Sequence, residues 1–256
     1  MPAFVRLQLF WLAVSLSIPA VCMVLAVTHA ADPLLLTDIA LPGLLSCWIV
    51  ALATPFLFGG NESRELRRTG FVLMWSAIAI VFPLSWDLPW AILHDWVNGA
   101  TAADTSKWYF WAYAVADTRF LRSDPLMILV EYWSGVIGIV EITFVTLFLR
   151  NRTAAAIRFF VAAGCFQFYG CTVFFVSQLM RHLADIRPDA LSYFKFFGLN
   201  GMWMIVPAIS GYLLIQLTKD PDYDARAAAR ALLGKPPKAL SRNAVSSTRD
   251  RQTAGR

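Results

Sequence analysis

Two glutamates within one apolar stretch are the residues in this sequence best suited to chemistry. Residues 128–142 read ILVEYWSGVIGIVEI, and Glu131 and Glu141 are the only charged residues between positions 125 and 149. An ionisable side chain inside a membrane is costly unless it faces the interior of a helix bundle or a partner. Each glutamate is therefore a candidate functional residue.

The depth of each polar residue along its predicted helix separates the candidates into two groups. A rise of 1.5 Å per residue predicts that Asp87 and Glu131 lie about 7–9 Å to the outer side of the membrane centre. Trp203 and Asn200 lie about 6 and 10 Å to the same side, whereas Glu141 lies about 6 Å to the other side. We therefore predict that one layer of the membrane holds Asp87, Glu131, Trp203 and Asn200.

Two acids without a basic partner at their depth imply proton chemistry. Asp87 and Glu131 cannot both ionise cheaply in a pocket of low dielectric, so one should stay protonated. Such a pair can add a proton to one carbon of an apolar substrate and remove one from another. A positive charge that forms on carbon could be stabilised by the face of Trp203, by about 2 kcal/mol or more when water is excluded.

Helical spacing gives each of these helices a polar face. Glu131, Ser134, Gly138 and Glu141 fall within an arc of about 80° at 100° per residue. Polar and small side chains also often only bridge or pack membrane helices, which is our interpretation for Ser76, Gly138 and Gln178. Equivalent sets occur on neighbouring helices: Gln167, Cys171, Phe174 and Gln178; Asn200, Trp203 and Pro207; and Ser76, Ile80, Pro83, Asp87 and Trp90.

The composition identifies the elements that must hold these residues. The chain is 58% hydrophobic and 15% charged, which is too apolar for a soluble domain of 256 residues. The runs are long enough to span a membrane as helices and lack the alternation of a barrel. We predict an all-α integral membrane protein, a bundle of about six transmembrane helices. The predicted spans are 8–29, 39–58, 71–93, 125–149, 155–180 and 196–218.

The first span has a second interpretation as a cleaved signal peptide. Its apolar run exceeds the usual 7–15 residues of such a peptide, which favours a helix. Basic residues in alternate loops predict that both termini are cytosolic. The predicted organisation is an N-terminal two-helix segment (1–68), a four-helix membrane segment (69–218) and a basic, disordered cytosolic tail (219–256).

Several classes of site are not indicated by the sequence. The four cysteines fall in predicted helices without a CxxC motif, and the three histidines are scattered, so we expect no disulfide framework and no metal site. Phosphate-binding and nucleophile motifs are absent, so we predict no cofactor. Nothing indicates a nucleic-acid partner. The oligomeric state stays open, with a homodimer as one alternative.

Ordered motifs along the second half of the chain carry a family resemblance. Residues 113–124 read YAVADTRFLRSD, Glu131 follows, FQFYG occupies 166–170 and LNGMWMIVP occupies 199–207. Together they resemble the emopamil-binding protein (EXPERA) family, most closely its sterol Δ8–Δ7 isomerases, over about residues 73–217.

The resemblance implies roles for individual residues. Glu131 matches the family's catalytic glutamate, and Ser134 stands where the isomerase has a threonine. Asn200 and Trp203 fall on site positions, and Asp87 falls on a site glutamate. The resemblance also implies substrate contacts from Tyr113, Asp117, Gln167, Tyr169 and Cys171.

Three features depart from the family pattern. Pro83 stands where the isomerase has a histidine, which removes a group that titrates near neutral pH and perturbs the helix. Cys171 stands where it has an aspartate. The chain also has one more N-terminal helix than the family's usual five.

Two functions follow as expectations. The first is an isomerase that shifts a double bond in a sterol or polycyclic terpenoid, without a cofactor. The alternative is a non-catalytic binding protein for sterols or cationic amphiphiles, in which the acids and Trp203 hold a protonated amine. A structural partner within the membrane ranks last. Glu141 has no assigned role.

Overall fold

The computed structural model describes residues 1–235, and within them every regular element is helical. Two π-helical turns, Pro83–Asp87 and Lys195–Leu199, interrupt longer helices, and short 3₁₀ turns lie at Thr105–Lys107 and Thr118–Leu121. The α-helices are α1 (Ala3–Val27), α2 (Pro33–Phe58), α3 (Arg64–Phe82), α4 (Leu88–Val97), α5 (Trp108–Ala114), α6 (Pro125–Leu149), α7 (Thr153–Met180), α8 (Ala190–Phe194), α9 (Asn200–Thr218) and α10 (Ala225–Leu232).

Six helical stretches within residues 1–235 are long and apolar enough to span a membrane, as predicted. Four of them are α1, α2, α6 and α7. The other two are composite: Arg64–Val97 joins α3 to α4, and Ala190–Thr218 joins α8 to α9, each through a π-helical turn. The chain is therefore an all-α membrane protein.

Local sequence explains where the long helices begin. The side chain of Asp32 accepts hydrogen bonds from the first turn of α2, and Asp124 does the same for α6. In both cases proline follows at the first helical position, where its missing N–H costs nothing. Ser63 caps α3 in the same way.

Pro83 changes the third span without ending it. Proline has no N–H for the preceding turn, and here the chain widens into the π-helical turn Pro83–Asp87 before α4 continues. The facing side of α6 has glycines: a Cβ at Gly138 would lie 3.1 Å from Leu84, and one at Gly135 would lie 2.9 Å from Leu88. These small residues let the π-helical turn pack closely against α6.

Different short helices pack over the two ends of the bundle. At the end that carries α5, which we call the α5 end, α5 lies over the helices and Trp108 donates its indole N–H to the Pro33 carbonyl at 3.0 Å. At the opposite end, the α10 end, α10 packs its Leu232 against Phe4 and Val5. The prediction of a disordered tail from residue 219 is wrong for α10, because its buried Ala225, Ala229 and Leu232 form an apolar face that packs on the bundle. Residues 236–256 lie outside the described part.

Candidate functional site

An acidic cleft lies between the long helices, in the half of the bundle nearer the α5 end. The empty space within it, including the part open to the surroundings, is about 740 Å³. It is lined by Trp48, Phe82, Trp86, Asp87, Tyr113, Val130, Glu131, Trp133, Ser134, Ile137, Phe166, Gln167, Gly170, Cys171, Phe174, Leu199, Asn200 and Trp203. The cleft thus collects side chains from five of the long helices and from α5.

Asp87 and Glu131 meet in this cleft. Asp87 ends the first π-helical turn and Glu131 lies on α6, and their side chains are 6% and 7% exposed. The two carboxyl groups line the same cleft and are close enough for each to influence the ionisation of the other. The Ser134 hydroxyl, one turn along α6, donates to Asp87.

The acid pair has no positive charge beside it. Within residues 1–235, no lysine, arginine or histidine lines the cleft. The guanidinium of Arg119 lies behind the cleft wall, 4.5 Å from the centre of the Phe174 ring, and is bonded to Asp117. Two carboxylates this close repel each other strongly where water is excluded, so the pair holds at least one proton.

An aromatic wall faces the acids. The Trp203 ring lies 5.1 Å from Trp75, 6.0 Å from Phe82 and 6.2 Å from Trp48 between ring centroids. Phe82 in turn stacks on Trp86 at 5.9 Å. Neighbouring rings therefore fix the orientation of Trp203, and its accessible surface faces the cleft, where a cation could lie against it.

Asn200 lines the cleft, but its hydrogen-bond partners are residues other than the acids. Its amide nitrogen donates to the Tyr113 hydroxyl at 2.7 Å and to the Phe196 carbonyl at 2.6 Å. Although the resemblance places Asn200 in the site, its amide nitrogen does not orient either carboxylate. The amide instead joins α9 to α5 and holds Tyr113 at the cleft wall.

Gln167 and Cys171 face the acids from α7. Both side-chain amide atoms of Gln167 are buried without a hydrogen-bond partner in the described structure, although they line the cleft. A buried amide without partners is costly, and a bound ligand could satisfy it. Gln167 is therefore a polar contact available to a ligand, and the Cys171 thiol lies one turn beyond it.

Two residues named by the resemblance lie outside the cleft. Tyr169 is 69% exposed, because it is two positions from Gln167 and so points about 200° away around α7. Asp117 is fully buried at the start of the Thr118–Leu121 turn, where it accepts hydrogen bonds from Arg119 at 2.6 Å and from Gln178 at 3.2 Å. Neither position supports a direct ligand contact in the cleft.

The environment of Asp117 is that of a structural ion pair. Burial raises the pKa of this carboxyl, and the Arg119 guanidinium opposes that rise. Arg119 also donates to the Ser177 hydroxyl at 2.6 Å. The network fastens the loop before α6 to α7, so Asp117 helps to hold one wall of the cleft.

Several cleft residues have no signal in the sequence. Trp48, Phe82 and Trp86 line the cleft together with the acids, and Trp133 and Phe166, which also line it, stack at 5.3 Å. Their helical spacing alone resembles that of ordinary packing residues. Only the packing of the helices around the cleft identifies them as residues that line it.

Glu141 belongs to a different environment. It is 1% exposed and does not line the cleft, and its Oε2 atom has no hydrogen-bond partner in the described structure. The Ser76 hydroxyl of α3 faces the Glu141 carboxyl, but the two do not form a hydrogen bond of normal geometry. Glu141 is thus a buried acid without a site around it.

Comparison of the chain with protein-family models, with curated proteins and with solved structures found no match. The resemblance to the emopamil-binding family therefore rests on the residues and motifs quoted above.

Proposed function

We propose that the protein is a membrane-embedded isomerase that shifts a double bond in a sterol or polycyclic terpenoid. One observation carries the proposal: Asp87 and Glu131 meet in a cleft that is otherwise apolar and aromatic and has no cation beside them. Such a cleft suits a hydrocarbon substrate, and the acid pair offers it both a proton donor and a proton acceptor.

The proposed reaction has two proton transfers. Glu131, protonated, gives its proton to one carbon of the double bond, and the adjacent carbon becomes positively charged. Trp203 stabilises that charge through its ring face. Asp87, the carboxylate, takes a proton from the next carbon, whose C–H electrons form the shifted double bond. One proton enters and one leaves, so the reaction balances without an oxidant or co-substrate.

The surrounding residues have supporting roles in this proposal. Ser134 donates to Asp87 and favours the ionised form of that carboxyl. Tyr113, held by Asn200, and the unpartnered amide of Gln167 offer polar contacts to a substrate hydroxyl. Cys171 contributes shape rather than charge.

We further propose a cytosolic C terminus, because the basic loops alternate in that sense. The membrane would be the endoplasmic reticulum in a eukaryote and the inner membrane in a bacterium. A sterol or related lipid is the proposed partner, and a homodimer stays an alternative to a monomer.

A binding protein for cationic amphiphiles is the second candidate. Pro83 stands where the resemblance expects a histidine, so the cleft lacks the imidazole that the resemblance implies. With Asp87 or Glu131 ionised, the carboxylate and the Trp203 ring would hold a protonated amine. This candidate needs the same cleft but no proton transfer to carbon.

The test is turnover of a Δ8-sterol by the purified protein in heavy water, compared with Glu131→Gln. The isomerase predicts a shifted, deuterium-labelled product that is lost in the variant. Glu141→Gln is the matched control, because it makes the same change on the same helix outside the cleft. Saturable amine binding without product would support the second candidate, and full turnover by Glu131→Gln would overturn the mechanism.

A further inference from the structure

A second cavity lies beside the acidic cleft, between α1, α2, α3 and α5. We call it the α1 chamber, and the empty space within it, including the part open to the surroundings, is about 1060 Å³. Its lining is mostly aliphatic and aromatic, with Leu16 and Met23 from α1, Leu44 from α2, and Ile78 and Val81 from α3. Among the described residues, no charged side chain lines it.

The chamber exists because α1 is fastened to the rest of the bundle near the α10 end. There the Gln8 amide donates to the Gly70 carbonyl at 3.3 Å, and a Cβ at Gly70 would lie 2.7 Å from the Phe4 ring. Gly70 thus allows α1 to touch α3. Towards the α5 end α1 follows α2, and the space between α1 and α3 stays open beneath α5.

Most of the polar groups on the chamber wall already have a hydrogen-bond partner. The hydroxyls of Ser15 and Ser85 donate to backbone carbonyls of their own helices at 2.7 and 3.5 Å. The Tyr109 hydroxyl donates to the Ser85 carbonyl at 3.4 Å, and the Trp86 indole donates to the Tyr109 carbonyl at 3.1 Å. These groups leave the wall little capacity to bind a charged or strongly polar ligand.

The chamber reaches the lipid-facing surface. Leu16 lines it and is 50% exposed, and Ala20, one turn further along α1, also lines it and is exposed. By contrast, Leu44 and Ile78 line the chamber and are buried. A molecule in contact with these two residues must have entered between the helices.

Aromatic rings separate the chamber from the acidic cleft. Trp48, Phe82, Trp86 and Tyr113 line both spaces. The wall is therefore one layer of side chains thick. Rotation of Phe82 and Trp86, which stack on each other at 5.9 Å, would join the two volumes.

We propose that the α1 chamber binds the hydrocarbon portion of an uncharged membrane lipid that enters between α1 and α3. The apolar lining, the occupied hydroxyls and the opening at Leu16 and Ala20 select this ligand over an amine or an anion. The chamber is also an antechamber, a space through which the ligand passes into the acidic cleft. This second part of the proposal alone rests on the function proposed for the cleft.

The experiment uses a long-chain fatty alcohol with a diazirine in its chain, photolysed with the full-length protein in lipid nanodiscs. Labelled residues are located by mass spectrometry. We expect saturable labelling of Leu44 and Ile78, which lipid around the bundle cannot reach. Labelling confined to exposed residues of the lipid-facing surface would overturn the proposal.

Matched variants on α1 test the chamber directly. Ala20→Trp should abolish labelling of Leu44 and Ile78, and the smaller Ala20→Leu should reduce it partly. Val21→Trp should leave it unchanged, because Val21 is 57% exposed and does not line the chamber. Equal labelling in all three variants would contradict the proposal, and the graded Leu variant guards against a Trp variant that misfolds.

A further arm separates this proposal from the function of the cleft. Glu131→Gln should retain full labelling of the chamber, since Glu131 does not line it. If the cleft has no isomerase activity, the labelling pattern still decides whether the chamber binds lipid. If the cleft is active, Ala20→Trp should slow turnover relative to Val21→Trp, and equal rates would remove the antechamber role.

Discussion

Glu131 and Glu141 lie ten residues apart on one face of α6, and the structure gives them opposite surroundings. Glu131 faces Asp87, Trp203 and a cleft, whereas Glu141 faces α3 and has an oxygen without a partner. The difference comes from the neighbouring helices, since the two residues share a side-chain type and a stripe. A buried acid becomes a candidate catalyst only where a second acid and empty space adjoin it.

Asp117 extends this comparison to a third kind of buried acid. It is as buried as the other two, but Arg119 binds it through its Nη2 atom at 2.6 Å. Its charge is therefore compensated within the protein, and it holds a loop in position. The three acids thus differ in partner: a cation for Asp117, another acid for Glu131, and none for Glu141.

The largest expected effect is on turnover, which should depend on Glu131 and not on Glu141. Glu131→Gln should lower turnover by about 10²- to 10⁴-fold, the usual contribution of a positioned general acid or base. Glu141→Gln should leave turnover close to that of the unmodified protein. Initial rates with a Δ8-sterol measure the turnover of both variants. Similar losses in the two variants would mean that Glu131 and Glu141 do not differ in function.

A large loss of stability is expected when the buried cation is removed. Arg119→Met leaves Asp117 buried without its partner, which should lower the free energy of unfolding by about 3–5 kcal/mol. Without the guanidinium, the effect of burial is less opposed, so the pKa of Asp117 rises further and its neutral form is favoured in the fold. Part of the loss should therefore be recovered as the pH falls, which thermal melting in detergent micelles can measure at several pH values. An unchanged melting temperature would mean that the ion pair adds no stability.

Replacing Glu141, the acid without a partner, should have the opposite effect and increase the free energy of unfolding. Glu141→Met replaces a buried group that lacks a hydrogen bond by an apolar side chain of similar length, and should raise the free energy of unfolding by about 1–3 kcal/mol. The same melting assay measures the change. A lower stability would show that Glu141 has a partner that supports the fold.

The smallest effect is expected at the α10 end, outside the acidic cleft. Asp224 caps α10, and the hydrogen bond from the Ala227 backbone N–H lowers its pKa. Its contribution is present above the ordinary aspartate pKa and is lost as the pH falls through the lower value in the fold, below roughly pH 4. Hydrogen exchange of α10 amides should increase there, and Asp224→Asn should weaken this dependence.

The spans were predictable because length and hydropathy are local properties. The fourth predicted span, 125–149, coincides with α6, whose start is set by the Asp124 cap and the following proline. The third span, Arg64–Val97, includes Pro83 as predicted and extends beyond the predicted 71–93 at both ends. The sixth span begins at Ala190 and not at 196, because a π-helical turn that starts at Lys195 joins α8 to α9. Lys195 itself is buried with its Nζ atom 2.5 Å from Asp38, a pairing that hydropathy cannot reveal.

The candidate site was predictable in part for a similar reason. Depth and helical face bring Asp87, Glu131, Trp203 and Asn200 into one layer, and all four line the cleft. The bond from Asn200 to Tyr113 was not predictable, because it depends on where the short helix α5 lies over the bundle.

The sequence by itself determined that six apolar helices cross a membrane and that acids lie within two of them, because both follow from residue type and spacing along one chain. Only the tertiary structure decided which acid meets another, which meets a cation and which meets neither. Those outcomes depend on how neighbouring helices are turned and spaced. The α1 chamber is of the same kind, since it arises where α1 and α3 separate above the contact at Gly70.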